Sequence, residues 1–247
     1  MIELTECSIT AEQGKLLDSI SLKVPKGAYF CLIGESGGGK TLLGKMILGI
    51  LPPNLKVSGK INCDRKKMEI ILQNPLGSLQ SNSRIDSQFH HLLKSKGMKN
   101  KEDRKMKMFQ ALSRVGFTAI QEIAAKRPYQ LSGGMCQKAA LAMALISQPE
   151  IIIADEATSA LDEQSQETIL QLLSNIYLEK QLTIFFITHD LSIAKAYSTH
   201  LGVMQNGQLI EVGLTEQVLN HPTENYTKEL IGIFEQDDSF ITGKQFN

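Results

Sequence analysis

Residues 28–41, Ala28-Tyr29-Phe30-Cys31-Leu32-Ile33-Gly34-Glu35-Ser36-Gly37-Gly38-Gly39-Lys40-Thr41, pass from an apolar run into a glycine-rich one and on into a helical pattern. The segment Gly34, Glu35, Ser36, Gly37, Gly38, Gly39, Lys40 and Thr41 fits the spacing G-x-x-x-x-G-K-[ST] in full. A buried strand before it and a helix after it are the context in which that spacing holds phosphate. The glycines let backbone N–H groups curl around phosphate oxygens without a Cβ in the way. Lys40 brings a mobile positive charge to the β- and γ-phosphates, and the Thr41 hydroxyl is placed to ligate Mg²⁺. The fold that supplies such a turn is an α/β core with a parallel sheet.

Outward from this point, short apolar runs alternate with helical patterns. "KTLLGKMILGIL" (40–51) predicts a helix stopped by Pro52-Pro53, and "KMEIILQ" (67–73) predicts a strand. "EIIIADE" (150–156) carries an unbroken apolar run, as a strand covered on both faces requires. "QLTIFFITHD" (181–190) predicts another strand, and the Asn-Gly inside "LGVMQNGQLIEVG" (201–213) predicts a hairpin. Between about 84 and 130 the chain is polar, Lys-rich and helical in pattern, so 84–147 is expected to be a helical insert. The core is then 1–83 and 148–234, and 235–247 is a frayed tail. "KSKGMKNKEDRKMKMF" is expected to be a solvated helix face rather than a phosphate patch, and His90-His91 a solvated pair rather than a metal sensor.

Mg²⁺ keeps several waters and takes few protein oxygens. Asp155, at the end of the strand "IIIAD", fits as a ligand beside Thr41. Glu156 follows it and is placed to orient and deprotonate an attacking water, a step worth roughly 10²–10⁴-fold. His189 closes the next strand-like run, where ligand groups gather in parallel sheets, and a γ-phosphate contact suits it. Gln73 closes "EIILQ", where a neutral donor and acceptor can touch Mg²⁺ or water.

A second anion-binding pattern lies at Leu131-Ser132-Gly133-Gly134-Met135, before the helical run "GGMCQKAALAMALIS". Glycine costs roughly 1 kcal/mol against alanine inside a helix. A Ser-Gly-Gly start makes sense where the N–H donors and the positive dipole end must meet something closely.

Composition excludes several classes. The 247 residues carry no net charge, so neither nucleic acid nor anionic lipid is drawn by bulk attraction. Cys7, Cys31, Cys63 and Cys136 are scattered and predict reduced thiols, not disulfides or a zinc site. "MIELTECSIT" has no signal-peptide pattern, and no stretch approaches the ~18 apolar residues of a membrane span.

Taken together, the phosphate loop (34–41), Gln73, "LSGGM" (131–135), "IIIAD" with Glu156, "SALD" (159–162) and His189 resemble the ATP-binding subunit of ABC transporters over essentially the whole chain. The resemblance implies a RecA-like P-loop NTPase core with a small antiparallel β part and an inserted helical subdomain. It implies ATP and Mg²⁺ as cofactors and a head-to-tail pair of ATPase subunits. Leu131, Ser132, Gly133, Gly134 and Met135 would then grip the ATP held by the partner, with Ala160, Leu161 and Asp162 running along the same interface. Further implied partners are two membrane permeases and an extracytoplasmic solute-binding protein, with no nucleic acid. The chain would sit peripherally on the cytoplasmic face of the membrane.

A narrower resemblance, in "GESGGGKT", "LGILPP", "LQNPLGSL" and "HPTENYTKEL", is to the oligopeptide and nickel importer subgroup. Met135 suggests its D-type ATPase beside a different F-type partner, and "LQNP" leans towards uptake of nickel, cobalt or a metal–metallophore complex. Di- or oligopeptide import is the alternative, and a soluble non-transport ABC ATPase a distant one. The pattern is departed from at Ala157, usually Pro, and at Cys136 and Lys138, often Arg. "CSITAEQGKLL" also lacks the aromatic that would stack on adenine. No cysteine follows Cys136 to build an iron–sulfur centre.

Overall fold

The strand that leads into the glycine-rich loop, β3 (Tyr29–Gly34), is buried at every position in a computed structural model that describes residues 1–74 and 77–242. Its run of apolar side chains leaves no polar face, which suits a strand covered on both sides. The chain divides into two compact units, 1–65 with 183–247, and 66–182. The expected insert 84–147 falls within the second.

In the first unit, β3 lies between β7 (Thr183–Ile187) and β8 (His200–Gln205), parallel to both. Phe30 stacks on Phe185 with ring centroids 5.1 Å apart, and Tyr29 tilts against Phe186. Each such fully buried aromatic contributes roughly 1.5–3 kcal/mol by leaving water. β9 (Gln208–Leu214) returns antiparallel to β8 as the expected hairpin, turning at Asn206 (φ 48°) and Gly207 (φ 76°).

α1 (Lys40–Leu48) follows the loop, but the prolines do not stop it. It ends at Gly49, whose left-handed conformation (φ 75°) turns its N–H back to the carbonyls of Lys45 and Met46. This glycine cap stands ahead of Pro52-Pro53, which therefore lie outside the helix. α7 (Leu191–Tyr197), α8 (Thr215–Asn220) and α9 (Asn225–Thr242) complete the unit. α9 runs into the stretch 235–247 expected to fray; 243–247 lie outside the described residues.

Beside these, β1 (Ile2–Ala11) pairs antiparallel with β2 (Gly14–Val24) and β4 (Lys56–Asn62), the small antiparallel part that the resemblance implied. The apolar runs along the chain predict none of these strands. In β2 the buried positions are Leu17, Ile20, Leu22 and Val24. The alternation skips at Ser19 (φ 52°), where register shifts interrupt the ladder. A bulge of this kind hides a strand from a period-two pattern. β4 is almost wholly exposed, and the apolar alternation of Val57 and Ile61 is broken by Gly59.

The second unit holds the parallel pair β5 (Met68–Leu72) and β6 (Ile151–Asp155), in register from Met68↔Ile151 to Leu72↔Asp155. Four helices intervene: α2 (Ile85–Ser95), α3 (Lys101–Arg114), α4 (Ile120–Ala125) and α5 (Gly133–Ile146). α6 (Glu163–Lys180) follows β6. Asn100 caps α3 by accepting from the backbone N–H groups of Glu102 and Asp103. That helix buries Met108 and Leu112 and turns Lys101 and Lys105 outward, as a solvated face should. Arg104 departs from that reading. It is buried, and donates to the carbonyls of Met98 and Lys99 and from Nε to Nδ1 of His90 (3.2 Å). His90 and His91 meet edge to face, and among the described residues no group of three or more His, Cys, Asp or Glu could hold a metal.

Candidate functional site

In the first unit the glycine-rich loop is shaped by close approach. A Cβ on Gly34 (φ 144°) would lie 2.0 Å from the Met204 carbonyl oxygen on β8, so no other residue fits. Lys40, 5% exposed, folds back and donates from Nζ to the carbonyls of Gly34 (2.8 Å) and Glu35 (2.7 Å). A buried ammonium is thereby held at the start of α1, where the helix dipole also favours an anion. Thr41 follows in the first turn and is exposed. Glu35, Ser36 and Gly37 form the exposed tip, and a Cβ on Gly37 would meet nothing within 4 Å. A fixed cation at a helix start and open space above the tip fit a polyphosphate.

His189, exposed, follows β7 in the same unit. Thr188 before it accepts from the Asp190 N–H (3.0 Å), and Asp190 caps α7 by accepting from Ser192 (2.8 Å). Tyr29 is fully buried against Phe186, so its ring is unavailable to a base. The structure adds one residue to this unit's site: burial raises the Tyr226 hydroxyl of α9, and the nearby Glu35 backbone partly offsets it. Its place in "HPTENYTKEL" gave no chemical signal, because the contact joins residues far apart in sequence.

In the second unit Asp155 is the last residue of β6 and is 8% exposed. Glu156 comes next with φ 47°, a left-handed conformation that a branched-chain or acidic residue adopts at a cost of order 1–3 kcal/mol. Ser159 holds it there. Its N–H (3.2 Å) and Oγ (3.1 Å) both donate to the Glu156 carbonyl, and Oγ also reaches Oε2 (3.4 Å). Strain of this kind, locked by its neighbours, collects at functional turns. Leu72 pairs with Asp155, so Gln73 leaves β5 at the level of the Asp155-Glu156 turn, exposed. The three residues thus share one end of the β5–β6 pair. The neighbouring Pro75 and Leu76 of "LQNPLGSL" lie outside the described residues.

The two glycine-bearing and turn motifs of this unit lie side by side. Ser132 caps α5, accepting from the Met135 N–H (3.3 Å). Asp162 caps α6, accepting from the Ser165 N–H (2.9 Å), and that bond chiefly holds its carboxyl below the usual range. A Cβ on Gly133 would touch Leu161, and one on Gly134 would press to 2.8 Å from Ser165 Oγ. Leu131 leads into the cap, half-buried, while Ala160 is exposed on the turn before α6. A shallow cavity of about 170 Å³ opens beside them, lined by Ser132, Met135, Lys138, Ser165 and Thr168 among others.

One buried residue of α5 carries no expected role in the sequence. Gln137 donates from Nε2 to the carbonyls of Leu72 (3.1 Å) and Ala157 (2.7 Å). Its signal in the sequence was faint: a lone amide beside Lys138 on a helix that is otherwise apolar or glycine.

A strand, a glycine-rich turn and a helix whose first residue is a buried lysine define a P-loop NTPase. The comparisons narrow that class. A family model described as ABC transporter matches residues 17–159. The oligopeptide transport ATP-binding protein OppF of Streptococcus mutans is 35% identical over 260 residues, covering 98% of this chain and 83% of its own. OppD of Lactococcus lactis, also an oligopeptide transport ATP-binding protein, is 32% identical over 234 residues, covering 88% and 69%. The solved structure of cbiO1 from Clostridium perfringens, part of the ABC transporter complex cbiONQ, superposes with a TM-score of 0.76 at 26% identity, over 89% of this chain and 90% of that one. The chain belongs to the ABC transporter family, as its ATP-binding, ATP-hydrolysing subunit. The RecA-like core with a helical subdomain follows as expected, and ATP with Mg²⁺ is its cofactor pair.

Proposed function

We propose that the chain is the motor of a peptide importer, acting with a second ATPase subunit, two permeases and an extracytoplasmic solute-binding protein. The observation that carries this reading is the 35% identity to an oligopeptide transport ATPase over 98% of the chain. It favours the peptide alternative over the nickel, cobalt or metallophore reading drawn from "LQNP". The D-type assignment from Met135 gains nothing over an F-type one, since an F-type and a D-type relative match at 35% and 32%. Among the described residues no helix is long and apolar enough to cross a membrane, which fits a subunit docked peripherally on the cytoplasmic face.

In this reading Gly34, Glu35, Ser36, Gly37, Gly38, Gly39, Lys40 and Thr41 cradle the phosphates of ATP. Thr41, Gln73 and Asp155 would hold Mg²⁺, which neutralises charge on the transferred phosphoryl group. Glu156, fixed by Ser159, orients the water and takes its proton, while His189 contacts the γ-phosphate. Leu131, Ser132, Gly133, Gly134 and Met135 close over the nucleotide of the partner subunit, beside Ala160, Leu161 and Asp162. ATP then joins the two subunits and hydrolysis releases them.

The test is uptake into vesicles carrying the assembled transporter and its binding protein. ATP-dependent accumulation of a labelled tetrapeptide, lost with Glu156→Gln, is the expected outcome. Accumulation of ⁶³Ni²⁺ with no peptide uptake would overturn the substrate class.

A further inference from the structure

We propose that Gln137 is a positioning residue that couples the two ATP sites of the assembled motor. It rests on the roles proposed above for the signature at Ser132 and for Gln73 and Glu156. Gln137 lies on α5, five residues after the cap Ser132, and is fully buried. Its amide nitrogen bonds the Leu72 carbonyl at 3.1 Å and the Ala157 carbonyl at 2.7 Å. Both partners are acceptors only, so the orientation of the amide is fixed by chemistry: nitrogen must face them. One side chain therefore spans the residue before Gln73 and the residue after Glu156.

Packing does not account for this residue. Its Oε1 is buried and, among the described residues, has no hydrogen-bond partner. A buried acceptor left without a donor is costly, and a methionine of similar volume would avoid that cost. What methionine lacks is the pair of N–H donors, which set the spacing of the two loops.

The geometry joins sites that act on different nucleotides. The N-terminus of α5 serves the partner's ATP, while Gln73 and Glu156 serve this chain's own. A helix transmits displacement along its axis as a rigid element, at 1.5 Å per residue. Engagement of Ser132 and Gly133 by the partner's phosphates would shift the Gln137 amide, and with it both loops. The chain's own water-orienting residues are thus aligned only when its signature is engaged.

The test uses the whole transporter, with wild type, Glu156→Gln, Gln137→Met and Gln137→Glu compared. For Gln137→Met the expected result is a kcat lowered about tenfold or more, with KM and the ATP Kd of the isolated subunit within about twofold of wild type. The subunit's melting temperature should fall only modestly, since the unpaired Oε1 is removed while the Leu72 and Ala157 carbonyls lose a donor. Gln137→Glu supplies a readout that a filler role would not move. Its carboxylate cannot donate, but its protonated form donates one hydrogen bond, so its kcat relative to wild type should rise as pH falls. A kcat within twofold of wild type for Gln137→Met, or a flat ratio across pH for Gln137→Glu, overturns the positioning role. Should Gln137→Met fail to fold, packing explains the residue and the role is likewise overturned. A wild-type transporter without turnover, or Glu156→Gln turning over normally, overturns the functional reading and this role with it.

Discussion

At the scale of single residues, burial decides which groups are available for chemistry. Cys31 lies wholly inside β3, and burial pushes its thiol up from 9.0 to about 12. Burial also raises Cys7, Cys63 and Cys136, so all four thiols are held towards their neutral form. The sign of the linkage follows. Above pH 9 the unfolded chain releases the Cys31 proton while the folded chain keeps it, so stability falls as pH climbs from 9 towards 12. Urea midpoints measured across that window should decline, and Cys31→Ala should flatten part of the decline. In the native protein at pH 8, a disulfide reagent should modify half-buried Cys63 and leave Cys31 unmodified.

At the scale of elements, the two glycines after Ser132 do different work. Gly133 is exposed, where a bare N–H can meet a ligand, whereas Gly134 is buried against α6. Its absent side chain lets the two helix starts approach, since a Cβ there would stand 2.8 Å from Ser165 Oγ and 3.0 Å from Ser165 Cβ. Gly134→Ala should destabilise the protein by about 1–3 kcal/mol, the usual cost of overpacking, read as a lower urea midpoint with an unchanged slope. A wild-type midpoint would mean that α5 and α6 separate freely. The helix α5 was legible from its apolar run and its Ser-Gly-Gly start. The contact between its first turn and that of α6 was not, because it joins segments separated by β6.

At the scale of the whole molecule, the proposed reading requires that one chain grip two nucleotides with different parts. Lys40→Ala removes a charged contact to phosphate, worth roughly 1.5–3 kcal/mol, and should weaken ATP binding to the isolated subunit about 10–150-fold. Ser132→Arg fills the other half-site and should leave that binding intact while abolishing turnover of the assembled transporter. Titration of a fluorescent ATP analogue against each purified variant checks the first claim, and steady-state hydrolysis the second. Equal loss of binding in both would show that the signature belongs to the same nucleotide as Lys40.

The sequence by itself determined the glycine-rich turn between β3 and α1, β3 itself, the β8–β9 hairpin, the helical character of 84–147 and the family. These are local patterns, in which spacing along the chain is already spacing in space. It determined less where geometry departs from a simple period: β2 is skipped by its bulge at Ser19, and the alternation of Val57 and Ile61 in β4 is interrupted by Gly59. Only the tertiary structure decided that Gly49 rather than Pro52 ends α1, and that Glu156 sits in a strained turn held by Ser159. Only it could bring Tyr226 near the Glu35 backbone, or the Gln137 amide onto Leu72 and Ala157. The reason is physical. A hydrogen bond between distant segments depends on how strands and helices pack, and a lone tyrosine or glutamine looks the same in sequence whether it meets water or a buried carbonyl.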